Sequence, residues 1–352
     1  MVTENFASNR VRRIHPLEIS NWDALFTSRP DFSFFHGAAW VRVLADTYGF
    51  TPVYLATGAP HAPEAIFPLM EVASWLTGRR GVALPFTDEC APLTTDRTEN
   101  EKLFQSALEL GRERGWKYLE CRGGRKLFGA VPAALSFYGH RLELMADEEK
   151  LFGGLESSVR RAIRKSQKDG VTVEISQGLA AVRIFYKLQC ATRKRHGLPP
   201  QPFDFFVNIH RHIMSQNQGI VAVASYAGKA VAAAIYFFLG GRAIYKYGAS
   251  DRAQQHLRAN NLAMWEAIRW LAGHGATQLH FGKTALANDG LRRFKLAWGT
   301  TEEAIEYVKY DLRQNKFVTD TDALSGWHNA VFRSLPGGLS RAAGKLLYKH
   351  WA

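Results

Sequence analysis

Charged and amide side chains collect where apolar runs end between Ala243 and Tyr310, and this is where the chain can do chemistry. Lys295 follows Phe294 in the short basic run LRRFK. Adjacent helical residues face different ways, so Phe294 packs inward while Lys295 can approach a developing negative charge or a phosphate; a solvated lysine is the alternative. His280 and Lys283 stand at the end of the run HFGKT, and Asp251 follows a strand that contains Tyr247. Asn260 or Asn261 suits the cap of a helix beginning at Leu262, and Asn288 the cap of the LRRFK helix. In the first half, Asp88 and Glu89 precede Cys90 at the end of another apolar run. Neighbouring carboxylates on an extended chain point apart, so they make no close acid–base pair. One of them can position a substrate ammonium or hydroxyl, or simply cap a turn. A nucleophilic Cys90 needs a base that the sequence does not reveal.

Anion binding has its own candidates. Arg160, Arg161, Arg164, Lys165 and Lys168 fall on one predicted helix, with Arg160 above Arg164 and Arg161 above Lys165. Like charges at that spacing repel, which suits a helix that meets phosphate or nucleic acid, or a solvated face. Arg193, Lys194, Arg195 and His196 close the next helix, where the helix dipole already favours cations.

The elements that would position these groups alternate between strands and amphipathic helices, the pattern of an α/β fold. The run 243–310 reads as strand, polar loop, helix, strand, short basic helix and strand. Upstream, an apolar-faced helix spans SFFHGAAWVRVLADTYG, HAPEA reads as a turn, and 99–114 form a helix stopped by Gly115. The first half reads as a complete α/β unit ending near Ala146, which divides the chain into residues 1–146, 147–315 and a helical tail at 316–352.

With 352 residues and 46% hydrophobic composition the chain exceeds one usual domain and supports substantial cores. Cys90, Cys121 and Cys190 have no paired spacing, which argues against a disulfide framework or zinc knuckle and for a reducing cytoplasm. The opening residues lack the apolar core of a signal peptide, and no apolar run reaches the roughly 20 residues of a membrane span. The net charge of +13 suits phosphate-bearing substrates, RNA or the anionic inner face of a membrane, besides solubility. Trp327, Val331, Phe332 and several leucines among basic groups give the tail a packing face, or a surface for peripheral membrane contact.

The segments SSVRRAIRKSQKDGV, TRKRHGLPPQP, YKYGASD, LRANNLAMWEAIRWLAGHG, HFGKT and NDGLRRFKLAWG, in this order, resemble the FemAB-like group of the GNAT acyltransferase superfamily. WVRVLADTYG and LPFTDECAPL fit the same pattern, so the resemblance covers about residues 30–315. It implies tandem GNAT-like domains, each with a mixed central sheet flanked by helices. It also implies transfer of an aminoacyl group from aminoacyl-tRNA to an amine of a cell-envelope precursor, in peptidoglycan or exopolysaccharide and exosortase systems. No tightly bound cofactor is expected; the donor is aminoacyl-tRNA or acyl-CoA. Phe294 and Lys295 match the family's phenylalanine–lysine pair, giving Lys295 the electrostatic stabilisation of the ester or terminal phosphate. Arg164 and Arg193 become candidates for acceptor phosphates, and Asp88 or Asp251 for orienting the amine. The loop QQHLRANN lacks the glycines of the acetyl-CoA-binding relatives, and no lysine follows Trp40 as in enzymes of peptidoglycan precursors. An acyl-CoA-dependent N-acyltransferase and a noncatalytic part of an envelope assembly complex are the competing expectations.

Overall fold

The computed structural model describes residues 11–59, 61–320, 332 and 334–351. Trp327 and Val331 of the tail lie outside them. The chain forms two compact units: Met1–Ser136, Ile305–Asp322 and Lys349–Ala352 make the first, Phe137–Ala304 and Ala323–Tyr348 the second.

In the first unit, β1 (Arg12–Ile14), α1 (Trp22–Phe26) and α2 (Ala38–Tyr48) precede β2 (Thr51–Pro52), β3 (Tyr54–Ala59) and β4 (Ala62–Phe67). Then come β5 (Met70–Ser74), β6 (Gly78–Val82), α3 (Arg97–Glu113) and β7 (Tyr118–Arg122). HAPEA is therefore strand as well as turn: 63–67 pair with 55–58 of β3, because Ala65, Ile66 and Phe67 have a core to fill. β1, β3 and β4 form one small sheet; β2, β5, β6 and β7 lie in order in a second. Asp96 caps α3 by accepting from Thr98 N at 2.7 Å, and the helix buries Leu103, Phe104, Ala107 and Leu108 against Phe67, Trp116 and Leu119.

The second unit opens within β8 (Leu135–Glu143) and continues with α4 (Glu148–Gly153), α5 (Ser157–Lys168), β9 (Thr172–Ser176), α6 (Leu179–Arg195) and α7 (Phe203–His212). β10 (Gly219–Tyr226), β11 (Lys229–Leu239), β12 (Arg242–Ser250), α8 (Ala259–Gly273), β13 (Gln278–His280), β14 (Thr284–Ala285) and α9 (Asp289–Leu296) follow. β9 to β12 form an antiparallel meander, β13 joins β12 in parallel, and β8 closes the order against β13. A parallel neighbour requires a crossover, and α8 supplies it. The helix buries Leu262, Met264, Trp265, Ile268 and Leu271 against Ile220, Ala232 and Tyr236 of the sheet.

The last elements are β15 (Thr301–Asp311), β16 (Lys316–Phe317) and α10 (Gly337–Leu347). Residues 307–311 of β15 pair with β7 in the first unit, while 137–143 of β8 pair with β13 and β14 in the second. Strand pairing therefore moves residues 137–146 and 305–315 across the expected boundaries at 146 and 315, and the tail divides between the units. Among the described residues no helix is long and apolar enough to cross a membrane.

Candidate functional site

A cleft of about 460 Å³ opens in the second unit where β12 leaves its neighbour. β12 runs for nine residues but pairs with β13 only at Arg242, Ala243 and Ile244. From Tyr245 onward that edge faces the start of α8 instead, and Tyr245, Gly248, Ala249 and Ser250 line the cleft together with Ala259, Asn260 and Phe294.

A bulge decides which tyrosines reach it. Ile235 pairs with Tyr247 and Tyr236 with Tyr245, which leaves Lys246 as an extra residue on β12. Paired residues share a face, so Tyr245 follows Tyr236 to the α8 side while Tyr247 goes with Ile235 to the other. Tyr247, a substrate-binding candidate from the sequence, packs there against Phe185, Phe205 and Phe206 of α6 and α7, away from the cleft. A Cβ on Gly248 would lie 1.8 Å from the Tyr245 hydroxyl, so any larger residue beside the bulge would displace that ring. Burial pushes the Tyr245 phenol up to about 12, and the Tyr236 phenol well above its ordinary value. The Tyr236 hydroxyl is fully buried and finds no hydrogen-bond partner among the described residues. A buried donor without a protein partner beside a cleft is a candidate for contact with a bound group.

The other polar feature is the N-terminus of α8. The helix starts at Ala259, three residues ahead of the expected Leu262, so Asn260 lies in the first turn and is no cap. The N-cap is Arg258, held at φ +56 with no side-chain cap bond. A left-handed arginine costs on the order of 1 kcal/mol, a strain that glycine would not carry. Its position leaves first-turn N–H groups, the positive end of the dipole and a guanidinium together at the cleft. Arg195 and His196 line the same wall, and Thr192 Oγ1 and Ser250 N, 3.3 Å apart, fasten the end of α6 to the end of β12. Asp251 also lines the cleft, but its carboxylate accepts from Ala253 N at 3.0 Å and caps the loop before α8.

Lys295 sits elsewhere. It is buried, and its ammonium donates to the carbonyls of Gly282 at 2.8 Å and Lys283 at 3.2 Å. The lysine is thus not free as expected: a buried ammonium must be hydrogen-bonded, and the turn after β13 provides the acceptors. Around it lies a charged network. Glu302 accepts from Arg292 at 2.7 and 2.8 Å and lies 3.2 Å from His140 Nε2. Burial and the Lys295 charge hold His140 below its ordinary value, while the Arg292 bonds lower Glu302. His280 belongs to the same network through Glu303 at 3.5 Å, and its Nδ1 accepts from Gly282 N at 2.9 Å. Lys283 places its ammonium 4.1 Å from the Phe137 ring.

The remaining candidates are dispersed. Asn288 caps α9 by accepting from Leu291 N, and Phe294 packs beside Trp298 while touching the cleft. Arg164 is exposed over the Phe152 ring. Arg193 donates to Pro199 O and the Tyr348 hydroxyl, so it ties the chain to α10 and is not aimed at a phosphate. Asp88 belongs to the first unit, where its carbonyl accepts from the Tyr307 hydroxyl at 2.7 Å. Burial pushes the Cys90 thiol well up, which makes it a poor nucleophile. No group of three or more His, Cys, Asp or Glu among the described residues is placed to hold a metal ion.

The cleft thus gathers Asp251, His196, Asn260 and Phe294 from the sequence candidates. It adds Tyr236, Tyr245, Arg195 and Arg258, of which only Arg195 carried a sequence signal, as part of the basic helix end.

Comparison with known proteins agrees with this architecture. Residues 155–296 match the family described as acetyltransferase (GNAT) domain, so the second half carries a GNAT acyltransferase domain. The chain is similar to a crystal structure of FemX, with 15% identity and a TM-score of 0.65 over 84% of this chain and 96% of that one. A tandem GNAT protein from the clavulanic acid biosynthesis pathway gives 10% and 0.54 over 86% and 99%. The C-terminal domain of a putative lysylphosphatidylglycerol synthetase from Agrobacterium fabrum gives 15% and 0.53 over 87% and 92%. At such identities the likeness speaks for the fold, and the tandem GNAT-like α/β architecture expected from the sequence is borne out. No curated protein matches the chain by sequence.

Proposed function

We propose, from the GNAT acyltransferase domain in its second half, that this protein transfers an aminoacyl group from aminoacyl-tRNA to an amine of a cell-envelope precursor. The observation that carries acyl transfer is the Tyr236 hydroxyl, buried and unpartnered in the cleft where the uncapped N-terminus of α8 also opens. In the reaction the amine nitrogen attacks the ester carbonyl carbon and a C–N bond forms. The carbonyl oxygen gains negative charge, the C–O bond to the ribose breaks, and the leaving hydroxyl takes up the proton the nitrogen releases. Tyr236 and the first N–H groups of α8 are donors for that oxygen, with Arg258 and Arg195 as cations for a phosphate and His196 as a further polar group on the same wall. Buried Lys295 acts through position, holding the Gly282–Lys283 turn and adding its field to the His140–Glu302 network. The tRNA donor and envelope acceptor follow from the FemAB-like resemblance, supported by the likeness to FemX over nearly all of that chain.

An acyl-CoA donor is the second reading, since a helix N-terminus on an open cleft also suits a pyrophosphate. The test is incubation of the full chain with charged tRNAs, with acyl-CoAs, and with lipid-linked and nucleotide-linked sugar peptides, read by mass spectrometry. A product that requires aminoacyl-tRNA and disappears with ribonuclease supports the proposal, and one formed equally well from acyl-CoA alone sinks it. On whichever donor reacts, Tyr236→Phe should lose roughly 100-fold in kcat, the scale of one oxyanion donor. Its thermal midpoint should hold or rise, because the substitution removes an unpaired buried hydroxyl. Unchanged turnover would exclude Tyr236 from the reaction.

A further inference from the structure

At the far turn of the β5–β6 hairpin in the first unit, Trp75 is 84% exposed and Leu76 53%, the opposite of where such side chains settle. Trp351, 45% exposed, lies next in sequence to His350, whose ring stands edge-on to the Trp75 ring at 5.5 Å. This exposure is built into the turn. Ser74 Oγ accepts from Leu76 N at 3.2 Å and Thr77 N at 2.9 Å, Thr77 O accepts from Lys117 Nζ at 2.6 Å, and Arg80 donates to Thr77 Oγ1 at 2.7 Å. His350 anchors residues 348–351 to the same turn, with Nδ1 2.8 Å from Ser74 Oγ and its carbonyl accepting from Arg80 at 2.9 Å and Thr77 Oγ1 at 3.2 Å.

We infer that this tip is a docking patch for an anionic lipid bilayer. Three features point to that occupant. The backbone N–H groups of Leu76 and Thr77 and the carbonyl of Thr77 are satisfied by side chains, so moving the tip from bulk water toward the edge of the hydrocarbon core strands none of them. The protruding side chains are the types that settle there: tryptophan, with an apolar ring and one N–H donor, and leucine. The cations Arg79, Lys117 and Lys349 flank them, residues 73–81 and 349–351 contain no acid, and the whole chain carries +13. A fixed tip also loses little conformational freedom on binding, since its geometry is set before contact. The inference does not depend on the transfer reaction.

Co-sedimentation of the full chain with phosphatidylcholine vesicles, with and without phosphatidylglycerol, tests it. The chain should pellet with the phosphatidylglycerol vesicles, and its tryptophan emission should shift to the blue. Trp75→Ser with Leu76→Ser should weaken binding by roughly tenfold or more and remove most of the shift, with circular dichroism unchanged because both side chains are exposed. Arg79→Glu with Lys349→Glu should abolish the preference for the anionic lipid while leaving the fold intact. The inference is overturned if the parent remains in the supernatant with both vesicles, or if the serine variant binds as the parent does. It is equally overturned if the parent is a dimer that the serine variant dissolves without any vesicle binding.

Discussion

At the scale of single residues, a buried side chain behaves as its partners dictate, and His36 is the clearest case. Its Nδ1 accepts from Ser33 N at 2.9 Å and its Nε2 lies 2.8 Å from Ala91 O, which fixes a neutral ring with the proton on Nε2. Burial holds its pKa below the ordinary value of about 6.5. Above that value both folded and unfolded chains carry a neutral ring and the contribution to stability is complete. Below it the unfolded chain takes up a proton that the folded chain resists, so stability falls as pH drops from about 6.5 toward the depressed folded value. His140, also lowered chiefly by burial, contributes with the same sign. Urea midpoints measured between pH 8 and 5 should decline below neutrality. In His36→Gln the profile should be flatter by up to about 1.4 kcal/mol per pH unit, around a lower midpoint at pH 8. An unchanged slope in the variant would show that His36 titrates normally. Lys295 illustrates the limit of reading residues alone: spacing separated it from Phe294, but not its two carbonyl acceptors, which arrive from the turn after β13.

At the scale of elements, what repeats in the chain was legible and what interrupts the repeat was not. The apolar periods of α3, α6 and α8, the strands between them and the Asn288 cap all follow from spacing and side-chain type. The bulge at Lys246 does not, since strict alternation places Tyr245 and Tyr247 on one face and the extra residue splits them. The left-handed Arg258 is equally hidden, because its residue type signals nothing of its conformation. Distant packing was hidden too, as the seat of α10 shows. A Cβ on Gly344 would lie 2.0 Å from the Pro200 carbonyl oxygen, so the helix approaches the 199–200 backbone as closely as glycine permits. Tyr348 extends the seat by donating to Pro199 O at 3.2 Å. Gly344→Ala should push α10 off, cost about 1–3 kcal/mol, and speed hydrogen exchange across 337–347 while β10 to β12 stay protected. Exchange as slow as in the parent would mean that the 199–200 loop yields instead.

At the scale of the whole molecule, the charge of +13 supplies a measurement that separates the two donors before any acceptor is known. A chain that binds a polynucleotide releases condensed counterions, and the logarithm of its affinity falls with the logarithm of salt by about 0.7 per single-strand phosphate contacted. A coenzyme donor brings few phosphates and gives a shallow slope. The exposed face of α5 is a candidate for part of this contact, although several of its cations already have local tasks. Arg160 donates to Gly153 O at 2.9 Å, Arg161 to Ser157 Oγ at 3.1 Å, and Lys165 pairs with Asp169. Arg164 and Lys168 remain exposed on the helix, with Arg164 lying over Phe152. Filter binding of aminoacyl-tRNA across a salt series should give a steep slope for the parent. Arg164→Ala with Lys168→Ala should reduce its magnitude by about 1 to 2 and weaken binding alike for tRNAs of different sequence, because phosphate contacts carry no sequence information. A flat slope in the parent, together with saturable acyl-CoA binding, would transfer the case to the coenzyme; a steep parent slope that the double variant leaves unchanged would place the RNA on another face.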